Sequence, residues 1–494
     1  MKKTLKRLSS GTFVYGFGSI LQSSLAFFLL PLYTRFLSAE EYGMLSVLSS
    51  IGSFFAEIFI LGLGASVTRY YFKYKNNEEE LENFLSSVFN FLIFSNLFFT
   101  VSIFLLGEWF FKKLTPDINF RPYIIITIWQ TALFVFFTFY LQLLRAKEKA
   151  KEFIILKISK FLTSSLLIIF FIAFLKWGVL GNIYGQFFAS LTFFVVIILI
   201  NIKQGNFKRH LNFNYVKKAL IYGLPLVPHT LAGWAVSQSD RLILSGITNV
   251  TQTGIYDLGY KIAMGIALVT SAINYAWSPI FFDTADNEPD AKKIFSDIFN
   301  VYIFGLCILA LGLSYFSWEL IHFIGTSEYY SAYKVVPFIV LGYVFQGIYF
   351  MRVTPIFYKE KTKLLSFITP VSAAINIGLN FALINWLGMF GSGIAFMTSF
   401  LFNALIVHIV SQKTYHIPYS YKKIAPTFVV FLILIALSPF VNRFNLVTSF
   451  ILKIFLVGIF ISSAFIFKTI TIKQIMRSYE ILKTKISSYA VNLK

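Results

Sequence analysis

Apolar stretches of about 20 residues recur along almost the whole chain, and each is long enough to cross a hydrocarbon core. Inside lipid every backbone N–H and C=O needs an internal partner, so such stretches fold as helices or as strands of a closed barrel. Runs this long and uninterrupted select helices. The composition agrees: 57% of residues are hydrophobic and 13% charged, where ordinary globular domains hold roughly 25% charged residues. The expected fold is an all-α polytopic membrane protein with about 14 spans. The first runs from Thr12 to Phe36, the thirteenth from Ile424 to Val441 and the last from Val447 to Phe467. The apolar run from Gly11 to Leu37 is too long for a signal peptide and reads as a retained first span. Loops between spans are no longer than roughly 20 residues, which leaves no room for a folded extramembrane domain. That argues against an enzyme.

The net charge of +21 raises the question of nucleic acid. Lys and Arg fall mainly in short loops between apolar runs, which is the pattern of membrane topology rather than of a nucleic-acid surface. It puts both termini in the cytoplasm. Trp109, Trp177, Trp318 and Trp386 fall at the outer ends of their spans, as an interfacial aromatic belt would place them. Cys307 is the single cysteine, so no intramolecular disulfide can form. The histidines His210, His229, His322, His408 and His416 form no metal-ligand spacing, and no phosphate loop occurs. No catalytic residue, metal or organic cofactor is expected.

Two blocks resemble each other. Arg35 is followed by Tyr42-Gly43, and Arg241 by Gly254-Ile255-Tyr256, each between one apolar stretch and the next. Aligning Gly43 with Gly254 also places Ile51 on Ile262. The simplest parse is a six-helix lobe over residues 1–200, a basic cytoplasmic linker at 201–218, a second six-helix lobe at 219–411, and two extra helices with a tail at 412–494. Duplicated halves of this kind are a common plan for transporters.

Charged residues inside spans are costly, at least about 2.5–3.5 kcal/mol on insertion scales, and so tend to face an interior. Glu57 is the deepest acid and a candidate for proton or cation coupling. Asp257 and Lys261 are four apart on one helix and can pair. Asp240 and Arg241 are adjacent, so their side chains should diverge by about 100° and find other partners. Arg35, Arg69 and Arg352 lie toward span ends, where anchoring and phosphate binding are both open. Lys157, Lys160 and Lys453 read as snorkelling side chains. Gln22, Gln346, Asn376 and Asn380 place amides near mid-span, suited to gluing helices or binding a polar ligand.

Several of these segments together resemble bacterial polysaccharide flippases of the O-antigen transporter type. They are Val14-Tyr15-Gly16, Phe28 through Gly43, Gly62-Leu63-Gly64, Thr68 through Phe72, Ser239 through Leu244, Gly254-Ile255-Tyr256, Asn376 to Asn380 and Gly388 to Ala395. The resemblance spans the chain and implies the multidrug/oligosaccharidyl-lipid/polysaccharide exporter superfamily. Its members have two six-helix lobes around a central cavity, often with two extra helices. They move polyprenyl-diphosphate-linked oligosaccharides from the inner to the outer leaflet of the cytoplasmic membrane by alternating access, for O-antigen, lipopolysaccharide or other surface polymers. The resemblance implies substrate-binding roles for Arg35, Arg69 and Arg241, to which span position adds Lys261 and Arg352. It implies proton or sodium coupling, for which Glu57, Asp240 and Asp257 are the candidates. The expected partners are the lipid-linked oligosaccharide and membrane lipids, with the chain a monomer near polysaccharide polymerase machinery. A multidrug or cation exporter of the same superfamily would favour acids over cations in its cavity. A membrane glycan polymerase would need larger outer loops.

Overall fold

A computed structural model of the chain describes residues 27–203, 211–361, 365–441, 445–472 and 474–476. Most of the expected first span, Gln22, Val14-Tyr15-Gly16, part of the basic linker and most of the C-terminal tail lie outside these residues. Regular structure among the described residues is helical throughout, with no strand. Twelve helices are long and apolar enough to cross a membrane. The chain is an all-α multi-pass membrane protein. Twelve of the fourteen expected spans thus correspond to candidate spans, and a thirteenth is the one mostly outside the described residues. The stretch from Ile424 to Val441 differs: a 16-residue helix, Tyr421–Ala436, stops before a second short one, Ser438–Val441.

The helices in chain order are α1 (Leu30–Phe36), α2 (Ala39–Phe59), α3 (Leu63–Tyr74), α4 (Glu78–Leu114), α5 (Ile125–Ala146), α6 (Ala150–Ile169), α7 (Gly178–Lys203), α8 (Phe213–Gly223) and α9 (Val227–Ile247). There follow α10 (Val250–Asn287), α11 (Ala291–Ile324), α12 (Val336–Tyr358), α13 (Leu365–Leu387), α14 (Met389–Thr414), α15 (Tyr421–Ala436), α16 (Ser438–Val441) and α17 (Leu446–Ile466). Two compact units result. The first comprises Leu25–Asp257 with Asn380–Gly388; the second is drawn from Leu258–Leu379 and the chain from Met389 on.

Local chemistry explains the first unit. Ser38 and Glu41 form a capping box at the start of α2: the Glu41 amide donates to Ser38 Oγ at 3.1 Å, and the Ser38 amide donates to Glu41 Oε2 at 3.0 Å. The α2–α3 stretch is a single apolar run broken at Leu61 and Gly62, whose φ angles are +50° and +68°. Glycine suits the second position because the left-handed region carries no Cβ penalty for it. The break frees the Phe59 carbonyl, which accepts from Asn96 Nδ2 of α4 at 3.2 Å. Beyond it, Ser66 Oγ donates to the Ala219 carbonyl of α8 at 2.6 Å. Between α8 and α9 the prolines Pro225 and Pro228 remove backbone donors, and a short 3₁₀ turn, Leu224–Leu226, joins the two helices.

The glycines aligned between the two sequence blocks meet in this unit. A Cβ on Gly43 would stand 1.8 Å from the Val250 carbonyl oxygen, and one on Gly254 would stand 2.2 Å from the Ala39 carbonyl oxygen. The Tyr-Gly signature is therefore a close backbone crossing of α2 and α10, of the small-residue kind that lets membrane helices approach. Gly254→Ala is expected to destabilise by about 1–3 kcal/mol, because backbone must shift to admit the methyl group. A lowered thermal midpoint in detergent, with normal membrane insertion, checks this.

The second unit holds a buried ion pair. Lys453 on α17 is fully buried and bonded to Glu319 on α11. The snorkelling reading of Lys453 is thus corrected: its stem reaches a carboxylate inside the protein, not the interface.

Candidate polar cavity and buried charge cluster

The first unit encloses a cavity of about 640 Å³ against α2, α3, α5, α7 and the α8–α9 junction. Three helical stripes supply its wall. Ser49, Gly52, Ser53, Ala56 and Glu57 recur at helical spacing on α2. On α5 the residues are Thr127, Gln130, Thr131, Phe134, Thr138 and Gln142, again at three- and four-residue steps. Asn182, Ile183 and Gln186 come from α7, and Thr230 from α9. Glu57 sits one turn before the Leu61–Gly62 break, and Gly62 and Gly64 also line the cavity. Interrupted helices at membrane depth are tolerated where they line such a space.

Glu57 is half-buried and is the single charged residue among the described residues of the wall. The other polar groups have a common orientation. Thr127, Thr131, Thr138, Thr230 and Ser53 each direct their hydroxyl hydrogen to a backbone carbonyl of their own helix, at 2.8 to 3.0 Å. Gln186 Nε2 donates to Asn182 Oδ1 at 2.8 Å, and Asn182 Nδ2 donates to the Tyr33 hydroxyl at 2.9 Å. Gln130 Nε2 donates to Ser190 Oγ at 3.4 Å.

A second polar group lies in the same unit at the α9–α10 hairpin. Arg241 is 2% exposed. Its Nη1 donates to Asp240 Oδ1 and to the Ser237 carbonyl, each at 2.7 Å. Its Nε and Nη2 both donate to Asp257 Oδ1, at 3.1 and 3.0 Å. The Tyr256 hydroxyl donates to Asp240 Oδ2, and the Tyr42 side chain hydrogen-bonds to Asp257. Tyr42 stands 6.0 Å from Tyr33 by ring centroids, so aromatic contact joins this cluster to the Asn182–Gln186 edge of the cavity. Two carboxylates surround one guanidinium, and both aspartates are as buried as the arginine.

The structure therefore brings Asp240, Arg241 and Asp257 together and puts Glu57 on the cavity wall. It corrects the expectation that Asp240 and Arg241 diverge. The carboxylate of Asp240 folds back to accept the Arg241 backbone N–H at 3.0 Å, and the long arginine stem curls across the intervening angle. Arg35 and Arg69 are exposed, at or near the ends of α1 and α3. Lys261 is half-buried on α10, in the second unit. Arg352, also in that unit, is 3% exposed and sandwiched between the rings of Phe299 and Tyr419, with Cζ at 3.9 and 3.4 Å from their centroids. Burial pushes the Tyr419 hydroxyl up to about 12 against the opposing pull of Arg352. Asn376 and Asn380 are fully buried on α13.

The cavity's amides and threonines were not anticipated. Their signal was present in α5, where polar residues fall on one face of an otherwise apolar helix.

The sequence profile of a family described as polysaccharide biosynthesis protein matches residues 8–285. A protein of the Lsg locus of Haemophilus influenzae is 22% identical over 383 residues, covering 74% of this chain and 88% of its own. Among solved structures, the lipid II flippase MurJ in an inward closed conformation is similar with a TM-score of 0.68 at 16% identity, covering 95% of this chain and 99% of that one. An inward-facing multidrug resistance MATE transporter of the MOP superfamily gives a TM-score of 0.56 at 13% identity, covering 84% and 94%. These structures share the fold.

Proposed function

Because this chain belongs to the polysaccharide biosynthesis protein family, we propose that it is a flippase for a polyprenyl-diphosphate-linked oligosaccharide. It would carry this cargo from the inner to the outer leaflet of the bacterial cytoplasmic membrane by alternating access, with both termini in the cytoplasm. The observation that carries the reading is the cavity of about 640 Å³, in which hydroxyls, amides and one carboxylate stand among apolar side chains, within an otherwise apolar helical protein. A glycan cannot shed its water into hydrocarbon without replacement hydrogen bonds, and this wall offers them. The volume lies within the roughly 300–1,000 Å³ of small-molecule sites, room for a few sugar rings rather than a polymer. The diphosphate calls for cations elsewhere on the path. Arg35, Arg69, Lys261 and Arg352 are the proposed contributors, and Arg241 organises the two aspartates around it. The cluster of Asp240, Arg241 and Asp257 is the proposed coupling site for protons or sodium, because its two carboxylates exceed its one cation. The family supports a cargo bound for a polysaccharide; the proposal extends to a surface polymer, O-antigen or another, and to a monomer beside polymerase machinery.

The direct test is translocation of a fluorescent polyprenyl-diphosphate oligosaccharide in proteoliposomes, with and without proton or sodium gradients. Movement well above that in protein-free vesicles, accelerated by one gradient, is the expected result. No acceleration of any lipid-linked glycan, alongside efflux of organic cations, would replace the flippase with an exporter.

A further inference from the structure

The hydroxyl hydrogens of Thr127, Thr131, Thr138, Thr230 and Ser53 are directed to backbone carbonyls, and Gln130 and Gln186 each direct one amide hydrogen to a neighbouring side chain. What these hydroxyls have left is oxygen lone pairs, one of which, on Ser53, accepts from Trp234 Nε1. A threonine hydroxyl holds one hydrogen and two lone pairs, so a hydroxyl bound to its own helix becomes an acceptor on its free side. Glu57 adds two more acceptor oxygens and the only formal charge among the described lining residues. Among the described residues it makes no ion pair and no side-chain hydrogen bond, and no Lys, Arg or His lines the cavity. Among the described residues the wall thus offers hydroxyl lone pairs and is negative at one point.

Such a wall selects a ligand made of donors with a positive centre. Resting on the flippase reading, we infer that the cargo glycan carries a free amino group, and that the Glu57 carboxylate pairs with its ammonium while the α5 and α7 oxygens accept from neighbouring sugar hydroxyls. An aromatic drug-like cation fits less well. Such cations are held by several ring faces, and Phe134 is the sole aromatic ring among the described residues of the wall. That ring already has a cation, Lys160 Nζ, 4.6 Å from its centroid. The hydroxyls and amides lie among aliphatic side chains such as Leu48 and Ile183, a mixed wall that suits the polar edges and apolar faces of a sugar ring.

The test uses the full-length protein in nanodiscs and two soluble probes, the β-1,4-linked glucosamine dimer and its N-acetylated counterpart. Binding is read by intrinsic fluorescence, since Trp234 donates to Ser53 on the cavity wall at 3.0 Å. The amine form is expected to bind about tenfold tighter, the size of one charge-assisted contact. Glu57→Gln should abolish that preference, and Glu57→Asp should retain part of it. Equal binding of both dimers to the unaltered protein overturns the inference. So does a preference that survives in Glu57→Gln, or tighter binding by tetraphenylphosphonium than by the glucosamine dimer. The probes carry no lipid, so the two readings fail separately. Translocation without amine preference removes only the role of Glu57; amine preference without translocation of lipid-linked glycans removes the flippase.

Discussion

Arg241→Ala is expected to destabilise the first unit by about 3–5 kcal/mol, the range found when one partner of a buried ion pair is removed. The Arg241 guanidinium donates four hydrogen bonds within 3.1 Å, divided among Asp240, Asp257 and the Ser237 carbonyl. Alanine takes from both buried carboxylates the guanidinium that they share. The cost comes from those orphaned charges and not from the lost arginine stem. A compensated variant separates the two. Arg241→Met combined with Asp240→Asn and Asp257→Asn removes the charges together and should recover most of the stability, since well-packed neutral replacements of buried ion clusters are often tolerated. Thermal unfolding in detergent measures both. If the triple variant is as unstable as Arg241→Ala, the cluster acts by shape and not by charge. If it is stable, its transport without any gradient dependence would be the expected sign that coupling has been lost with the aspartates.

The same residues show what a linear sequence conveys and what it withholds. Twelve of the expected spans followed from apolar length alone, because bilayer thickness fixes the length a crossing helix needs. The exception, between Tyr421 and Val441, has enough apolar residues but a helix end at Leu437 that hydropathy does not register. Arg241 was visible as a buried charge, yet its partners were not. Asp257 lies 16 positions away, brought near by the tight turn between α9 and α10, and adjacency along the chain made Asp240 look unreachable. The break at Leu61 and Gly62 was similarly hidden, since apolar residues continue on both sides of it. Gly43 and Gly254 were noticed as a repeat, while their meaning as one helix crossing needed three dimensions. The cavity was legible in principle. Thr127, Gln130, Thr131, Thr138 and Gln142 share a helical face, but each alone is an ordinary uncharged residue in a span. Attention to charge picked out Glu57 and passed over the stripe opposite it.

That stripe gives the second large effect. Ser49 lies on the α2 wall and is exposed within a structure whose neighbouring α2 residues are buried or half-buried. Ser49→Trp would project an indole into the cavity without displacing core packing. A tryptophan contributes roughly 150–250 Å² of surface, enough to occupy space that a glycan needs and to replace acceptors with an apolar face. Transport of the lipid-linked oligosaccharide should fall to the rate of protein-free vesicles, while the thermal midpoint and membrane insertion stay within a few degrees and near normal yield. The control is Phe323→Trp, which places the same ring at an exposed position on α11 outside the cavity and should transport normally. Loss in both variants would point to a general effect of tryptophan on the fold. Normal transport by Ser49→Trp would move the sugar path out of this cavity, and with it the reason for a polar wall at this depth. A loss confined to Ser49→Trp ties the cargo to the oxygen-lined face that α2, α5 and α7 build together.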